Sequence, residues 1–234
     1  MSDVFFQELK IPSPDFNLNI NGGTHGSMTG KMLIKIERLL IKINPDLVIV
    51  YGDTNSTLAG AIATSKLNIK LAHVEAGLRS FNKLMPEELN RIITDHTSSL
   101  LFAPSMNAKQ NLLNEGIKKN KIKVVGDVMY DLALKFSKIK PSIFCNRLIK
   151  FKPYILATIH RQENTDNYKK LENISNALIV FSNKFRIIWP LHPRTKNKLS
   201  EYKLFENLNK NVEFIEPQGY INMINLLKNA MLIV

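Results

Sequence analysis

The sequence predicts an α/β fold with two doubly wound parallel sheets that meet at a cleft. Short apolar runs rich in β-branched residues alternate along the chain with longer segments of helical periodicity. The apolar runs are continuous, which is typical of strands buried on both faces of a parallel sheet. A length of 234 residues, 44% of them hydrophobic, suffices for one large domain or two small ones.

The first half of the chain follows this pattern element by element. Gly30–Ile43 has apolar residues at helical spacing with Lys and Arg between them, and Asn44 and Pro45 end it. Pro86 suits the first turn of a helix, where the two acidic residues that follow it are also favoured. The predicted helices cover residues 3–9, 30–43, 54–67, 86–98, 107–115 and 128–138, and predicted strands lie within 47–53, 69–74, 99–105 and 121–127.

The segment Ile139–Lys152 separates the two halves. It is basic, contains Pro141, precedes Pro153 and lacks clear periodicity, so we interpret it as the domain junction. The predicted domains are residues 1–140, lacking the first strand of their sheet, and residues 152–234. The second half has predicted strands within 154–160, 185–193 and 211–217, and predicted helices over 168–183 and up to about residue 230.

Both ends of the chain are unusual for a parallel sheet. The last four residues, MLIV, have the composition of a buried strand, whereas the first residues begin with a helix rather than a strand. We therefore expect an internal piece of a longer protein, with N- and C-terminal parts of the two domains outside it.

The composition argues against several classes of function. The net charge is +12, but the lysines are spread along most segments without an arginine-rich block, so we expect an anionic small molecule rather than a nucleic acid as partner. The apolar runs are too short to span a bilayer and no secretory signal is visible, so we expect a cytoplasmic protein without a membrane partner. Cys145 stands alone, and neither a Cys/His cluster nor a dinucleotide-binding glycine loop is present, so we expect no metal and no cofactor.

Six polar residues stand where ligands bind in parallel sheets, beyond the carboxyl ends of predicted strands or in the adjoining loops. They are Asp53, Glu75, Glu87, His160, His192 and Gln218. Helix capping alone would favour Ser, Thr, Asn and Asp at such positions. Because histidine and carboxylates are the usual proton-transfer groups, the set predicts proton abstraction and return.

Several of these residues also have a purely structural interpretation. Asp53 could serve as a helix N-cap and nothing more. Glu87 and Glu88 could serve simply to complement a helix dipole. The histidines outside the set favour a structural role: His25, His73 and His96.

Eight ordered motifs run through the chain: VYGDTNSTLAGA, HVEAGLRS, MPEELNR, TDHTSSLLFAPS, VGDVMYD, TIHRQEN, PLHPRT and EPQGY. Over essentially all 234 residues they resemble the non-hydrolysing UDP-N-acetylglucosamine 2-epimerases. The resemblance implies two Rossmann-like domains of GT-B type with the active site in the cleft and nucleotide on the C-terminal domain. It implies interconversion of UDP-N-acetylglucosamine and UDP-N-acetylmannosamine, in which a base takes the C2 proton while UDP leaves C1, and UDP then re-adds.

The resemblance also assigns roles to residues. By motif, Asp53, Glu75 and Glu87 match the acid–base carboxylates of the family, and His160 matches its active-site histidine. Gln218 matches a uridine-contacting position. A second, regulatory UDP-N-acetylglucosamine would contact Arg161, Glu87 and His192. The family further implies a homodimer in the full-length protein, and its product usually enters envelope polysaccharide.

Two family segments have no counterpart in the chain. The leading strand with its GTRPE motif and the late DSGG segment, which hold the diphosphate and uridine, are both absent. An inactive remnant with weak nucleotide-sugar binding is therefore the alternative, and little or no epimerase activity is expected of residues 1–234 alone. A GT-B glycosyltransferase would need an acceptor site, and the HVEAGLR and MPEE motifs argue against it.

Overall fold

A computed structural model describes residues 2–151 and 153–234, with side chains from residue 5 onward. Two compact units divide the chain: the first comprises residues 14–131, and the second comprises residues 1–13 and 132–234. Each unit is built around its own four-stranded sheet. The domain ranges 1–140 and 152–234 stay a prediction.

The first unit alternates strands and helices. Helix α1 (Ser2–Leu9) precedes it and belongs to the second unit. The elements of the first unit are α2 (His25–Ile43), β1 (Leu47–Tyr51), α3 (Asn55–Lys66), β2 (Lys70–Val74), α4 (Pro86–Thr97), β3 (Leu100–Ala103), α5 (Met106–Asn114), a 3-10 turn (Lys119–Lys121), β4 (Ile122–Val124) and the start of α6 (Val128–Phe136). The strands are parallel in the order β1-β2-β3-β4, so all their carboxyl ends lie along one edge.

Local chemistry explains where these helices begin and end. The side chains of Thr24, Thr54 and Ser105 each accept a backbone N–H of the first turn of α2, α3 and α5. Asn44, in the left-handed conformation, ends α2. Helix α3 packs closely on β1 because it is built of small residues, and a Cβ at Gly60 would already lie 3.2 Å from Val50 Cγ1.

The second unit is a doubly wound sheet. Its further elements are α7 (Ile143–Lys150), β5 (Tyr154–Leu156), α8 (Gln162–Thr165), α9 (Tyr168–Ser182), β6 (Arg186–Pro190), α10 (Pro193–Glu201), α11 (Phe205–Asn209), β7 (Glu213–Ile215), α12 (Tyr220–Asn229) and β8 (Leu232–Ile233). The parallel order β7-β6-β5-β8 means that the chain moves outward from β5 and then returns to its other side. Trp189 is fully buried in the core of this unit, among Leu171, Leu199 and Leu208.

The predicted α/β class with parallel sheets is confirmed, but the segment 139–152 differs from its interpretation as an aperiodic junction. It contains helix α7, whose Cys145 and Leu148 are buried against Leu226 of α12. Strand β5 ends at Leu156, four residues before the end of the predicted strand. Helices α8, α10 and α11 are not among the predicted elements. No helix within the described ranges is both long and apolar enough to cross a membrane.

The turn after β2 depends on a glycine. Gly77 has a φ of 82°, and a Cβ there would overlap the Ala108 carbonyl oxygen and lie 2.8 Å from Leu112 Cγ. Gly116 has the same φ of 82°, yet a Cβ there would meet nothing within 4 Å. The two glycines therefore separate backbone strain from steric overlap.

We expect Gly77→Ala to lower the free energy of unfolding by about 3 kcal/mol or more, because α5 would have to move away from the turn. Gly116→Ala should cost only about 1–2 kcal/mol, the strain of a left-handed alanine. Urea unfolding followed by far-UV circular dichroism measures both. Equal losses in the two variants would contradict the close approach of α5.

Candidate active site

Two candidate carboxylates extend from neighbouring strands of the first unit. Tyr51 of β1 pairs with Val74 of β2. Glu75 follows Val74 directly, and Asp53 follows Tyr51 after one intervening residue, Gly52. Gly52, with a φ of 64°, turns the chain there, and a Cβ at Gly52 would lie 3.8 Å from Glu75 Oε2. The two acidic side chains therefore occupy one edge of the sheet.

Glu75 occupies an unfavourable environment for a carboxylate. Its φ of 76° is left-handed and rare for a residue with a side chain. Burial raises the pKa of Glu75, and the negative charges of Asp53 and Asp127 raise it further, against the smaller opposing effects of Arg91 and His73. Backbone strain and a raised pKa at one residue are typical of functional sites.

Asp53 is held by two consecutive residues of α4. Arg91 donates to Asp53 Oδ2 from Nε at 3.0 Å and from Nη2 at 2.8 Å. Asn90 donates from Nδ2 to the Asp53 carbonyl oxygen at 2.8 Å. The capping interpretation of Asp53 is wrong, because the N-cap of α3 is Thr54.

The two acidic residues at the start of α4 differ sharply in environment. Glu88 is 2% exposed and accepts hydrogen bonds from Ser80 N, Ser80 Oγ and Phe81 N at 2.8–3.0 Å. Burial alone would raise the pKa of Glu88, but these hydrogen bonds and the charge of Arg91 lower it below the ordinary value. Glu88 therefore closes the loop before α4. Glu87 is half-buried and makes no hydrogen bond or ion pair with any described residue, which leaves its carboxylate available to a ligand.

The remaining candidates lie at the carboxyl edge of the second sheet. His160, His192 and Gln218 line one cavity of about 260 Å³, beyond the ends of β5, β6 and β7. His192 also accepts the Arg194 N–H through Nδ1 and so caps α10. Gln218 is oriented by its own donation to the Glu216 carbonyl oxygen at 2.7 Å.

A second cavity, of about 430 Å³, opens at the point where the order of the second sheet reverses. Thr158 after β5 and Val234 after β8 line it, together with His160 and the exposed Arg161. Crevices at such a reversal, outside the carboxyl ends of the strands, are the usual ligand sites of doubly wound sheets. His160 borders both cavities.

The site residues thus fall into two groups. Asp53, Glu75 and Glu87 belong to the first unit, and the second unit holds the other four: His160, Arg161, His192 and Gln218. Among the described residues, no group of three His, Cys, Asp or Glu side chains could hold a metal ion.

Sequence reasoning missed Arg91 as the partner of Asp53 and missed Asp127 altogether. Asp127 follows the VVG run that begins with the last residue of β4, just as Asp53 follows the VYG run at the end of β1, and this parallel could have identified it. The histidines outside the candidate set have structural partners: His25 with Asn55, His73 with Asp95, and His96 with Glu115.

Two parallel α/β units with polar residues at their carboxyl edges define a protein of the GT-B-like class. A family model described as UDP-N-acetylglucosamine 2-epimerase matches residues 1–234, and the chain belongs to that family. The resemblance noted from the motifs is therefore confirmed.

Individual relatives agree with this assignment. A UDP-N-acetylglucosamine 2-epimerase homolog of Methanococcus maripaludis is 56% identical over 98% of the chain and 65% of its own length. A UDP-2,3-diacetamido-2,3-dideoxy-D-glucuronate 2-epimerase of Pseudomonas aeruginosa is 49% identical over 100% of the chain and 65% of its own length. The crystal structure of the Methanocaldococcus jannaschii UDP-GlcNAc 2-epimerase with UDP-GlcNAc and UDP is 51% identical and superposes with a TM-score of 0.91, covering 100% of the chain and 66% of its own. The chain therefore spans just under two thirds of the length of these relatives.

The raised pKa of Glu75 makes a prediction about stability. Between the ordinary value of 4.5 and the raised one, the folded state binds more protons than the unfolded state, so stability falls as pH rises through this window. We expect Glu75→Gln to increase the free energy of unfolding at pH 7 and to have little effect below pH 4.5. A loss of stability at pH 7 would contradict this prediction, because it would show that the ionised carboxylate of Glu75 stabilises the fold.

For Glu88→Gln we expect the opposite effect on stability. Its lowered pKa means that the ionised form stabilises the fold above pH 4.5, and this contribution is lost as pH falls through the lowered pKa. We expect Glu88→Gln to cost about 2–4 kcal/mol at pH 7 and less in acid, measured in the same urea titrations.

Proposed function

We propose that this chain carries the acid–base site of a UDP-N-acetylglucosamine 2-epimerase that interconverts UDP-N-acetylglucosamine and UDP-N-acetylmannosamine. The observation that supports it most directly is the proximity of two carboxyl groups: Glu75, whose pKa is raised by burial and by the charge of Asp53, and Asp53 itself, which is ion-paired to Arg91. Two adjacent carboxyl groups in different environments can act as a proton donor and a proton acceptor.

The reaction needs both functions. A carboxylate takes the C2 proton, the electron pair of the C–H bond forms the C1–C2 double bond, and UDP leaves C1 with the pair of its C–O bond. The 2-acetamidoglucal that results then accepts a proton at C2 on the opposite face, and UDP re-adds at C1. Asp53, Glu75 and Glu87 supply the proton transfers, and either direction is open to each of them.

The second unit is suited to the nucleotide. Its crevice at the strand-order reversal is lined by His160 and Arg161, side chains that can bind an anionic diphosphate, as well as by Glu163. We assign the uridine contact to Gln218 and the contact near the diphosphate to His160. Arg161 and His192 are the candidates for a second, regulatory UDP-N-acetylglucosamine. A homodimer in the cytoplasm stays a prediction from the family.

The sugar specificity has a second candidate. The Pseudomonas aeruginosa relative is named for a diacetamido glucuronate nucleotide, whose C2 chemistry is the same. Substrate assays should therefore include both nucleotide sugars, and a preference for the glucuronate would change the assignment of the substrate while leaving the reaction class intact.

The proposal predicts incorporation of solvent deuterium at C2 without a metal. A form of the protein that spans the full length of its relatives is incubated in D2O with UDP-N-acetylglucosamine and EDTA, and nuclear magnetic resonance follows the C2 proton signals of both epimers. We expect loss of the C2 proton and no effect of EDTA in this form, and little or no exchange with residues 1–234 alone. Abolition by EDTA would contradict the mechanism, whereas binding of UDP without any exchange would support the inactive-remnant alternative.

The carboxylates can then be tested singly in a form of the protein that shows exchange. We expect Glu75→Gln and Glu87→Gln each to lower turnover by about a hundredfold or more, because each loses a proton-transfer group. Glu201→Gln on α10, where the side chain is exposed and paired with Lys198, is the control and should retain turnover. Near-normal rates in both test variants, with unchanged circular dichroism, would refute the acid–base assignment.

A further inference from the structure

A fully buried histidine, His73, lies near the candidate carboxylates Asp53 and Glu75 but is not one of the candidate site residues. His73 is 0% exposed and makes two hydrogen bonds through its ring. Nδ1 lies 2.7 Å from Asp95 Oδ1, and Nε2 lies 2.8 Å from the Gly52 carbonyl oxygen. Each partner restricts where the ring protons can be.

Both partners can only accept a hydrogen bond. Asp95 also accepts the Gly77 N–H at 3.1 Å and lies 2.8 Å from Arg79 Nη1, so its carboxylate is surrounded by N–H donors and Nδ1 of His73 must donate to it. A carbonyl oxygen has no proton, so Nε2 must donate to Gly52. A histidine ring that donates from both nitrogens is an imidazolium.

The surrounding charges balance a cation at this position. Arg79 has a 1% exposed side chain and pairs with both Asp95 and Glu115. His73 and Arg79 are then two buried cations that alternate with the two anions, Asp95 and Glu115. Buried ions persist when they are paired and hydrogen-bonded in this way.

We propose that His73 is a buried imidazolium that positions the turns bearing Asp53 and Glu75. Its Nε2 fixes Gly52, the residue before Asp53. Through Asp95 it is joined to Gly77, two residues after Glu75, so the left-handed turn at Glu75 is held on both sides. The positioning role of His73 rests on the proposed function, because it assumes that Asp53 and Glu75 act on a substrate. The charge of His73 and its hydrogen bonds do not depend on that function.

The cation also acts on Glu75 through space. Asp53 from the end of β1 and Asp127 after β4 raise the pKa of Glu75, whereas Arg91 of α4 and His73 of β2 lower it. Loss of the imidazolium should therefore raise the pKa of Glu75 further.

The charge state is tested on the unmodified chain, without any activity. In a sample labelled with ¹⁵N at histidine, we expect both His73 ring nitrogens to carry a slowly exchanging proton at pH 8 and to show imidazolium shifts. The signals of His73 are assigned by their loss in His73→Gln. One unprotonated His73 nitrogen at pH 8 would overturn the proposal.

The effect on the site is tested by the titration of Glu75. The ¹³C signal of its carboxyl group is followed against pH in the parent chain, in His73→Gln and His73→Asn, and in the control His96→Gln. We expect the midpoint to move to higher pH in both His73 variants and to stay in place in the control. An unmoved midpoint in a folded His73 variant would overturn the positioning role even if the epimerase assay succeeds. Because neither spectrum needs turnover, failure of the proposed function would be seen separately.

Discussion

The set of hydrogen bonds and ion pairs made by the buried carboxylate of Asp95 is the interaction on which the first unit depends most. From helix α4 it contacts His73 in β2, Gly77 in the following turn and Arg79 just beyond it. Three consecutive parts of the chain are thereby tied to one side chain, and Glu75 lies in the middle of them. Because Asp95 is 1% exposed, bulk solvent has little access to these bonds, and they can hold the strained φ of Glu75.

Much of the fold could be predicted because apolar runs and helical periodicity are local signals. Asp53 and Glu75 could be placed in the candidate site for the same reason, since the end of a strand is visible in the sequence. The pairing of Asp53 with Arg91 could not, because it joins residues 38 positions apart. Glu87 and Glu88 are equivalent in sequence, and only the loop that folds back onto Glu88 separates the free carboxylate from the structural one. Helix α7 could not be predicted either, because the groups that order it lie far away in the sequence, on α12.

The two sheets arrange their edges differently. In the first unit, four consecutive strands lie side by side, so the acidic residues after β1, β2 and β4 share one edge. In the second unit, the return of the chain to β8 opens a crevice beside β5, and the residues after β5 are exposed to it. A shared edge concentrates negative charge, whereas a crevice admits a ligand. Strand order accounts for the crevice of the second unit, whereas the negative charge at the first edge comes from the acidic residues themselves.

The position of Trp189 has a spectroscopic consequence. It is the single tryptophan of the chain, and it is fully buried in the core of the second unit. The first unit contains only two tyrosines, Tyr51 and Tyr130, and both are exposed. Intrinsic tryptophan fluorescence therefore reports the unfolding of the second unit and does not report the unfolding of the first. Total helix content reports both units, so a helix transition that the tryptophan signal does not follow would belong to the first unit.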